Sequence, residues 1–236
     1  MVSLGTPTDY DFSLPRIRRE LFLQHALPLA HRRGSLLDYG CGNGANTTLF
    51  HADFDDVYGI DVEPDRVQEA RARNIQPNVR YELYDGARIP GERMYDAVVS
   101  FEVLEHTASD AGSLAEIFGR MKAGGVFMCT VPNKFYLMET HGFRFPYDDV
   151  VPYNRIPFLN LLPQAVYDRF GNARIYTRRQ IERLVAEAGF TIASSGYLRA
   201  PLDKLRNPRL QKLARRVIDR LPEAMGVSVW VVATKS

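Results

Sequence analysis

Apolar residues gather in short blocks separated by polar, glycine-containing or proline-containing breaks, and the spacing inside each block sets the element expected there. Ile17, Leu21, Phe22, His25 and Leu29 recur at helical intervals between Arg16 and His31, which predicts an N-terminal helix kinked or ended by Pro28. Compact runs at 35–39, 56–61, 79–84, 94–101 and 125–131 predict strands, and segments near 44–51, 63–73 and 109–122 predict helices between them. Such alternation predicts right-handed βαβ units, a parallel sheet, and ligands at the C-terminal ends of its strands.

After Pro132 the rhythm stops for some forty residues dense in aromatics and prolines, among them Phe135, Tyr136, Phe143, Phe145, Pro146, Tyr147, Pro152, Tyr153, Phe158, Tyr167 and Phe170. Too apolar for a linker, the stretch 133–175 is expected to be a lid or substrate-binding insertion at the ligand end of the sheet. The pattern then recovers. Thr177 to Phe190 reads as a helix capped by Thr177 and closed by Gly189, followed by a strand from Thr191 to Leu198, a further helix and a last strand from Gly226 to Thr234. One elaborated domain over 1–236 is expected, with a helical segment at 1–33.

With 236 residues, 45% of them hydrophobic, the chain can bury a sizeable core. A formal charge of +2 argues against a polyanionic partner for the whole surface, and no contact with DNA is expected. The opening residues Met1 to Tyr10 lack the basic and apolar blocks of a secretory signal, and no apolar run is long enough to span a bilayer, so a cytoplasmic protein is expected. Cys41 and Cys129 are read as small packing residues. Residues 199–220 interleave Arg199, Lys204, Arg206, Arg209, Lys212, Arg215, Arg216 and Arg220 with leucines, against only Asp203 and Asp219. This segment is either a core-facing helix with a solvated basic face or a contact for anionic lipid or phosphate, and Pro208 shortens its continuous surface.

The candidate chemistry starts at Leu36-Leu37-Asp38-Tyr39-Gly40-Cys41-Gly42-Asn43-Gly44, an apolar strand running into three glycines at alternate positions. Without β-carbons, that loop lets backbone N–H groups approach a nucleoside ligand. Asp61 ends the next strand about twenty positions on, the usual reach for a carboxylate that holds ribose hydroxyls. The loop is not the G-x-G-x-x-G of dinucleotide enzymes. It resembles the D-x-G-x-G-x-G loop of class I S-adenosylmethionine-dependent methyltransferases, and the likeness continues in order through Asp61, Tyr84-Asp85-Gly86, Tyr95 to His106, and Ala123 to Met128. The string Phe101 to His106 is similar to the ubiquinone-biosynthesis-like, methyltransferase type 11 subgroup.

The resemblance implies an α/β, doubly wound, mostly parallel, seven-stranded Rossmann-like sheet, with the last strand antiparallel between the fifth and sixth. It further implies S-adenosylmethionine as cofactor, held by Asp38, Gly40, Cys41, Gly42, Gly44, Asp61, Val62, Asp85, Gly86 and Phe101, with Asp61 on ribose and Asp85 on the adenine amine.

Glu102, Glu105 and His106 would share one face of a helical turn. In the subgroup this string resembles, such residues help hold a divalent ion such as Mg²⁺ that activates a hydroxyl, which makes Glu102, Glu105 and His106 candidate metal ligands and Glu105 and His106 candidate catalytic residues. Small-RNA 3′-end methyltransferases carry a further histidine before an aromatic-Thr pair. Asn172 stands at that spacing from Tyr176-Thr177, and His141 is the candidate to replace the missing histidine or to act as general base. The expected activity is methyl transfer to an oxygen of a small molecule, sugar or lipid-linked glycan. The alternatives are RNA-terminal 2′-O-methylation, which Asn172 weakens, and a non-catalytic S-adenosylmethionine-binding subunit.

Overall fold

Alternation along each strand sends successive side chains to opposite faces of one sheet. Leu36, Val57 and Val99 pack on one face with Phe22, Phe50 and Val126, while their neighbours Leu37, Tyr58 and Val98 pack on the other with Leu114, Ile117 and Ile181. Every residue of the central strands β1 (Ser35–Tyr39) and β4 (Tyr95–Phe101) is buried, as a parallel strand covered on both sides requires.

The protein is seen in a computed structural model that describes residues 13–144, 150–151, 157–202 and 207–236. Residues 1–12, the insertion residues Phe145, Pro146, Tyr147, Pro152 and Tyr153, and the basic-segment residues Asp203, Lys204, Leu205 and Arg206 lie outside this set.

The chain runs α1 (Ser13–Leu21), β1, β2 (Asp56–Asp61), α2 (Pro64–Arg73), β3 (Val79–Leu83), β4, α3 (Asp110–Gly119) and β5 (Met121–Pro132). The short pair β6 (Phe143–Arg144) and β7 (Val150–Val151) follows, then α4 (Gln164–Phe170), α5 (Arg178–Glu187), β8 (Thr191–Leu198), α6 (Pro208–Ile218) and β9 (Ser228–Thr234). Seven strands form the main sheet in the order β3-β2-β1-β4-β5-β9-β8, and β9 runs antiparallel to both neighbours. Strand order reverses between β1 and β4. The crevice at that switch point is where a ligand enters a sheet of this kind.

Four local expectations need correction. The N-terminal segment is α-helical only to Leu21. It then widens into a π turn over Phe22–Ala26 and tightens into a 3₁₀ turn over Leu27–Leu29, because the Pro28 ring cannot sit against the carbonyl four residues back. Near 44–51 a 3₁₀ helix spans Thr47–Ala52 instead of an α-helix; Thr47 donates its hydroxyl to Asp38 and Thr48 donates to the Gly44 carbonyl, local bonds that compete with the α ladder. The helix expected over 109–122 ends at Gly119, where the Arg120 N–H turns back onto Glu116 and Ile117, and Met121 already pairs with Tyr95. Finally, Glu102 has φ 57° and precedes a 3₁₀ turn over Leu104–His106, so Glu102 and Glu105 do not share a helical face.

Within the insertion, Phe143, Tyr167 and Ile175 form a small core of their own with Leu159, Leu162 and Phe170 packed against it. Asn133 anchors its start by donating to the carbonyls of Ala224 and Gly226 at 2.8 and 2.7 Å. The α5 helix is capped as expected, Thr177 and Gln180 forming a reciprocal capping box.

Candidate active site

The glycine loop is pinned to the neighbouring strand. Gly40 and Cys41 both donate N–H bonds of 2.9 Å to the Ile60 carbonyl. Gly42 N–H donates to Asp61 Oδ2 at 2.7 Å and Glu63 N–H to Asp61 Oδ1 at 3.0 Å, so one carboxylate shapes both the loop and the turn after β2. A β-carbon at Gly40, where φ is 82°, would lie 2.3 Å from Val103 Cγ2. At Gly42 a β-carbon would meet nothing within 4 Å, because this residue faces the cavity. Gly44 has another job: the Tyr81 ring packs directly on it.

A cavity of about 500 Å³ opens beside the loop, a size that suits a nucleoside-bearing cofactor. Of the expected cofactor residues, Gly40, Cys41, Gly42, Asp61, Val62, Gly86 and Phe101 line it, whereas Asp38, Gly44 and Asp85 do not. Asp38 lies fully buried beneath the loop and accepts the Thr47 hydroxyl at 2.6 Å; burial raises its pKa to about 7. Exposed at the rim, Asp85 accepts N–H bonds from Arg88 and Ala87 at 2.8 Å each, and these hold its pKa below the usual carboxylate value. Cys41 and Cys129 are free and buried, as expected of packing residues.

Sequence reasoning missed one wall of this cavity. Tyr39 shares a hydroxyl–hydroxyl bond of 3.1 Å with Tyr84 and donates to Ser113 at 3.2 Å, while the Tyr84 hydroxyl donates to Glu116 at 2.7 Å. The inward place of Tyr39 in β1 was a legible signal, but nothing in the sequence marked Glu116. Asn43, Asn46 and Arg66 also line the cavity.

The candidate catalytic residues divide differently from the expected set. Glu102 pairs with Arg18 at 3.6 Å, a buried guanidinium from α1. Glu105 instead faces two imidazoles: His141 Nε2 lies 3.6 Å from Glu105 Oε1 and His106 Nε2 lies 3.9 Å from it, with the two rings 4.9 Å apart. Glu105, His106 and His141 each offer a ligand atom within 4.8 Å of the others. Among the described residues, neither Glu105 oxygen receives a hydrogen bond.

Burial pushes the Glu105 pKa well above the carboxylate range, and the nearby Glu102 adds to the rise. It also lowers His141 to about 4, so the ring is a neutral imidazole at physiological pH. Buried Glu139 fixes the turn that presents His141, accepting its N–H at 2.8 Å, the Gly142 N–H, and the Tyr167 hydroxyl at 3.1 Å.

A second cavity of about 670 Å³ lies on the far side of this cluster, lined by Glu105, Asp110, Gln164, Asn172, Arg174 and Tyr176 among others. His106, Thr107 and Ala108 belong to the walls of both cavities. Asn172, which stands where a histidine was looked for, donates its amide to the His141 carbonyl at 3.3 Å. It supports the His141 turn from the second cavity.

Residues 15–195 match the family model described as a methyltransferase domain. The chain belongs to this family. This methyltransferase domain is 32% identical over 108 residues to a probable S-adenosylmethionine-dependent methyltransferase of Mycolicibacterium smegmatis, covering 45% of the chain and 42% of that protein. It is 29% identical over 132 residues to the ubiquinone biosynthesis O-methyltransferase of Cereibacter sphaeroides, covering 54% and 53%. It thus spans about half the length of the curated relatives it matches. In fold it is similar to an S-adenosylmethionine-dependent methyltransferase from Mesorhizobium loti, with a TM-score of 0.61 at 19% identity over 94% of this chain and 97% of that one.

Proposed function

We propose that this methyltransferase domain moves the methyl group of S-adenosylmethionine to an oxygen of a small molecule, a sugar or a lipid-linked glycan. The cofactor reading rests on the cavity at the switch point, with Gly42 facing it and Asp61 at its wall. The choice of oxygen rests on one observation above all: His106 lines both the cofactor cavity and a second, acceptor-sized one, and Glu105 on the wall of the second cavity is backed by the neutral imidazole of His141 at 3.6 Å. An O-methyltransferase among the relatives agrees with it.

In the proposed step the acceptor oxygen attacks the methyl carbon, a C–O bond forms, and the C–S bond breaks with its electron pair going to sulfur. Positioning carries most of such a displacement. A hydroxyl is a poor nucleophile while protonated, and His141 Nε2 takes its proton. Hydrogen on Nδ1, shared with Thr140 Oγ1 at 2.9 Å, leaves Nε2 free to accept, and Glu105 at 3.6 Å stabilises the imidazolium that results. Glu139 acts as a positioning residue through the backbone of the His141 turn.

The same three side chains fit a divalent cation better than the set that includes Glu102, since Glu105 has uncommitted oxygens and Glu102 is turned to Arg18. Glu105, His106 and His141 would hold it. Two nitrogens and one carboxylate suit Mn²⁺, Fe²⁺ or Zn²⁺ rather than Mg²⁺, which prefers oxygen. Bound there, the ion would acidify the acceptor hydroxyl in place of His141 acting as base. The reading is tested by incubating the protein with methyl-labelled S-adenosylmethionine and a panel of catechols, sugars and lipid-linked glycans. Label should appear as a methyl ether. Transfer only to amines would contradict the oxygen assignment, and transfer only to RNA ends would contradict the small-acceptor assignment.

A further inference from the structure

We propose that α6 docks the protein on an anionic lipid surface at the edge of the sheet where the acceptor cavity opens. The helix carries the apolar positions Leu210 and Leu213 three residues apart, yet they are 53% and 59% exposed instead of turned into a core. Exposed Arg209, Lys212, Arg215, Arg216 and Arg220 surround them, and among the described residues none of these five joins an ion pair. The single acid between Arg209 and Arg220, Asp219, is already taken by Arg199 at 3.2 Å. An amphipathic helix with apolar residues in solvent and uncompensated cations beside them is the pattern that seats in the headgroup layer of an acidic bilayer.

A polar side of the helix is tied to the protein. Arg199 donates to the Ile218 carbonyl at 2.7 Å, and Gln211 donates to the Leu202 carbonyl at 3.5 Å. No described helix is long and apolar enough to cross a membrane, so the surface would be touched and not spanned.

Topology gives the docking its direction. β9 begins at Ser228, which pairs with Pro132 at the end of β5 on one side and with Leu198 at the end of β8 on the other. The insertion and α6 therefore leave the sheet from adjacent points on one edge. The insertion shows exposed apolar residues of its own, Phe135 at 43% and Phe158 at 56%. An acceptor with a lipid tail could then present its polar end to the Glu105–His141 cluster while the tail stays in the bilayer. That last link rests on the methyltransferase reading; the docking itself does not.

The test is co-sedimentation of the full chain with sucrose-loaded phosphatidylcholine vesicles containing about one-third phosphatidylglycerol, against pure phosphatidylcholine. Binding to the acidic vesicles alone is expected, falling at least about tenfold in roughly 0.5 M salt. The variants L210E/L213E and K212Q/R216Q should each lower partitioning about tenfold or more. Both should bind S-adenosylhomocysteine as the unmodified protein does, which reports intact folding. Equal partitioning of all three proteins would overturn the proposal, as would equal binding to neutral vesicles. So would a leucine-dependent dimer in scattering measurements without vesicle binding, since that would make a second copy the occupant. Failure of S-adenosylhomocysteine to bind the unmodified protein would count against the enzymatic reading and leave the vesicle result standing.

Discussion

Burial rather than pairing sets the protonation of Glu105 and His141. His141 is held neutral at physiological pH and the Glu105 carboxyl is pushed well above its usual range, because neither has an oppositely charged partner within hydrogen-bonding distance in the low-dielectric cluster. Gln cannot ionise to stabilise the His141 imidazolium, so Glu105→Gln should cut kcat by at least about 100-fold, some 2.7 kcal/mol of barrier, with little change in cofactor affinity. Steady-state rates and calorimetry on the same preparation check this; an unchanged kcat would return Glu105 to a structural role.

Asp38 gives an independent residue-level prediction. Its folded-state pKa of about 7 lies above the unfolded value, so the folded protein holds its proton more tightly. The associated stability is fully present below the unfolded pKa, near 4, and is lost as pH rises through about 7. Asp38→Asn should remove this slope. The unmodified protein should lose on the order of 2–4 kcal/mol between pH 4 and 8 that the variant keeps, as read by denaturant titration. Parallel pH profiles would show that Asp38 ionises freely in the fold.

The site's parts differed in legibility at this scale. Gly40, Gly42 and Asp61 could be read from spacing because a short loop and the end of the next strand are close in sequence. The meeting of Glu105 with His141 could not. It depends on the path of an insertion without periodicity, and Glu102 departs from the expected cluster through a single positive φ.

Among elements, the turn after β1 concentrates the most consequence in the fewest residues. Its glycines answer to different neighbours, so alanine at each should fail differently. Gly40→Ala drives a β-carbon into Val103 at φ 82° and should cost at least about 2–3 kcal/mol of stability. Gly44→Ala meets the Tyr81 hydroxyl at 2.5 Å and should behave alike. Gly42→Ala, with open space around it, should lose only about 1–2 kcal/mol while weakening cofactor binding by filling the cavity. Thermal melts paired with calorimetry separate these cases, and equal losses at all three positions would mean that the loop is remodelled as a unit.

The strands were legible because alternate apolar positions have one solution in a sheet covered on both faces. Local bonding by Thr47 and Thr48, the π turn before Pro28 and the early end of α3 were not, since each depends on a hydrogen-bonding choice that hydrophobic spacing does not record. For α6 the spacing permitted a core-facing helix or a lipid contact, and the exposure of Leu210 and Leu213 is the structural observation on which the docking proposal rests.

At the scale of the whole molecule, one sheet edge gathers the glycine loop, the Glu105 cluster, the insertion and α6. The reversal of strand order between β1 and β4 creates a crevice there, and the antiparallel β9 brings the ends of β5 and β8 to the same border. What occupies this crevice decides the chemistry of the domain. Calorimetric titration of the protein with S-adenosylhomocysteine, alongside NADH, is the most direct measurement. One site of micromolar order, about 8 kcal/mol, is predicted for S-adenosylhomocysteine and none for NADH, with Asp61→Ala weakening the former by about 1.5–3 kcal/mol. Heat from NADH and none from S-adenosylhomocysteine would contradict the account.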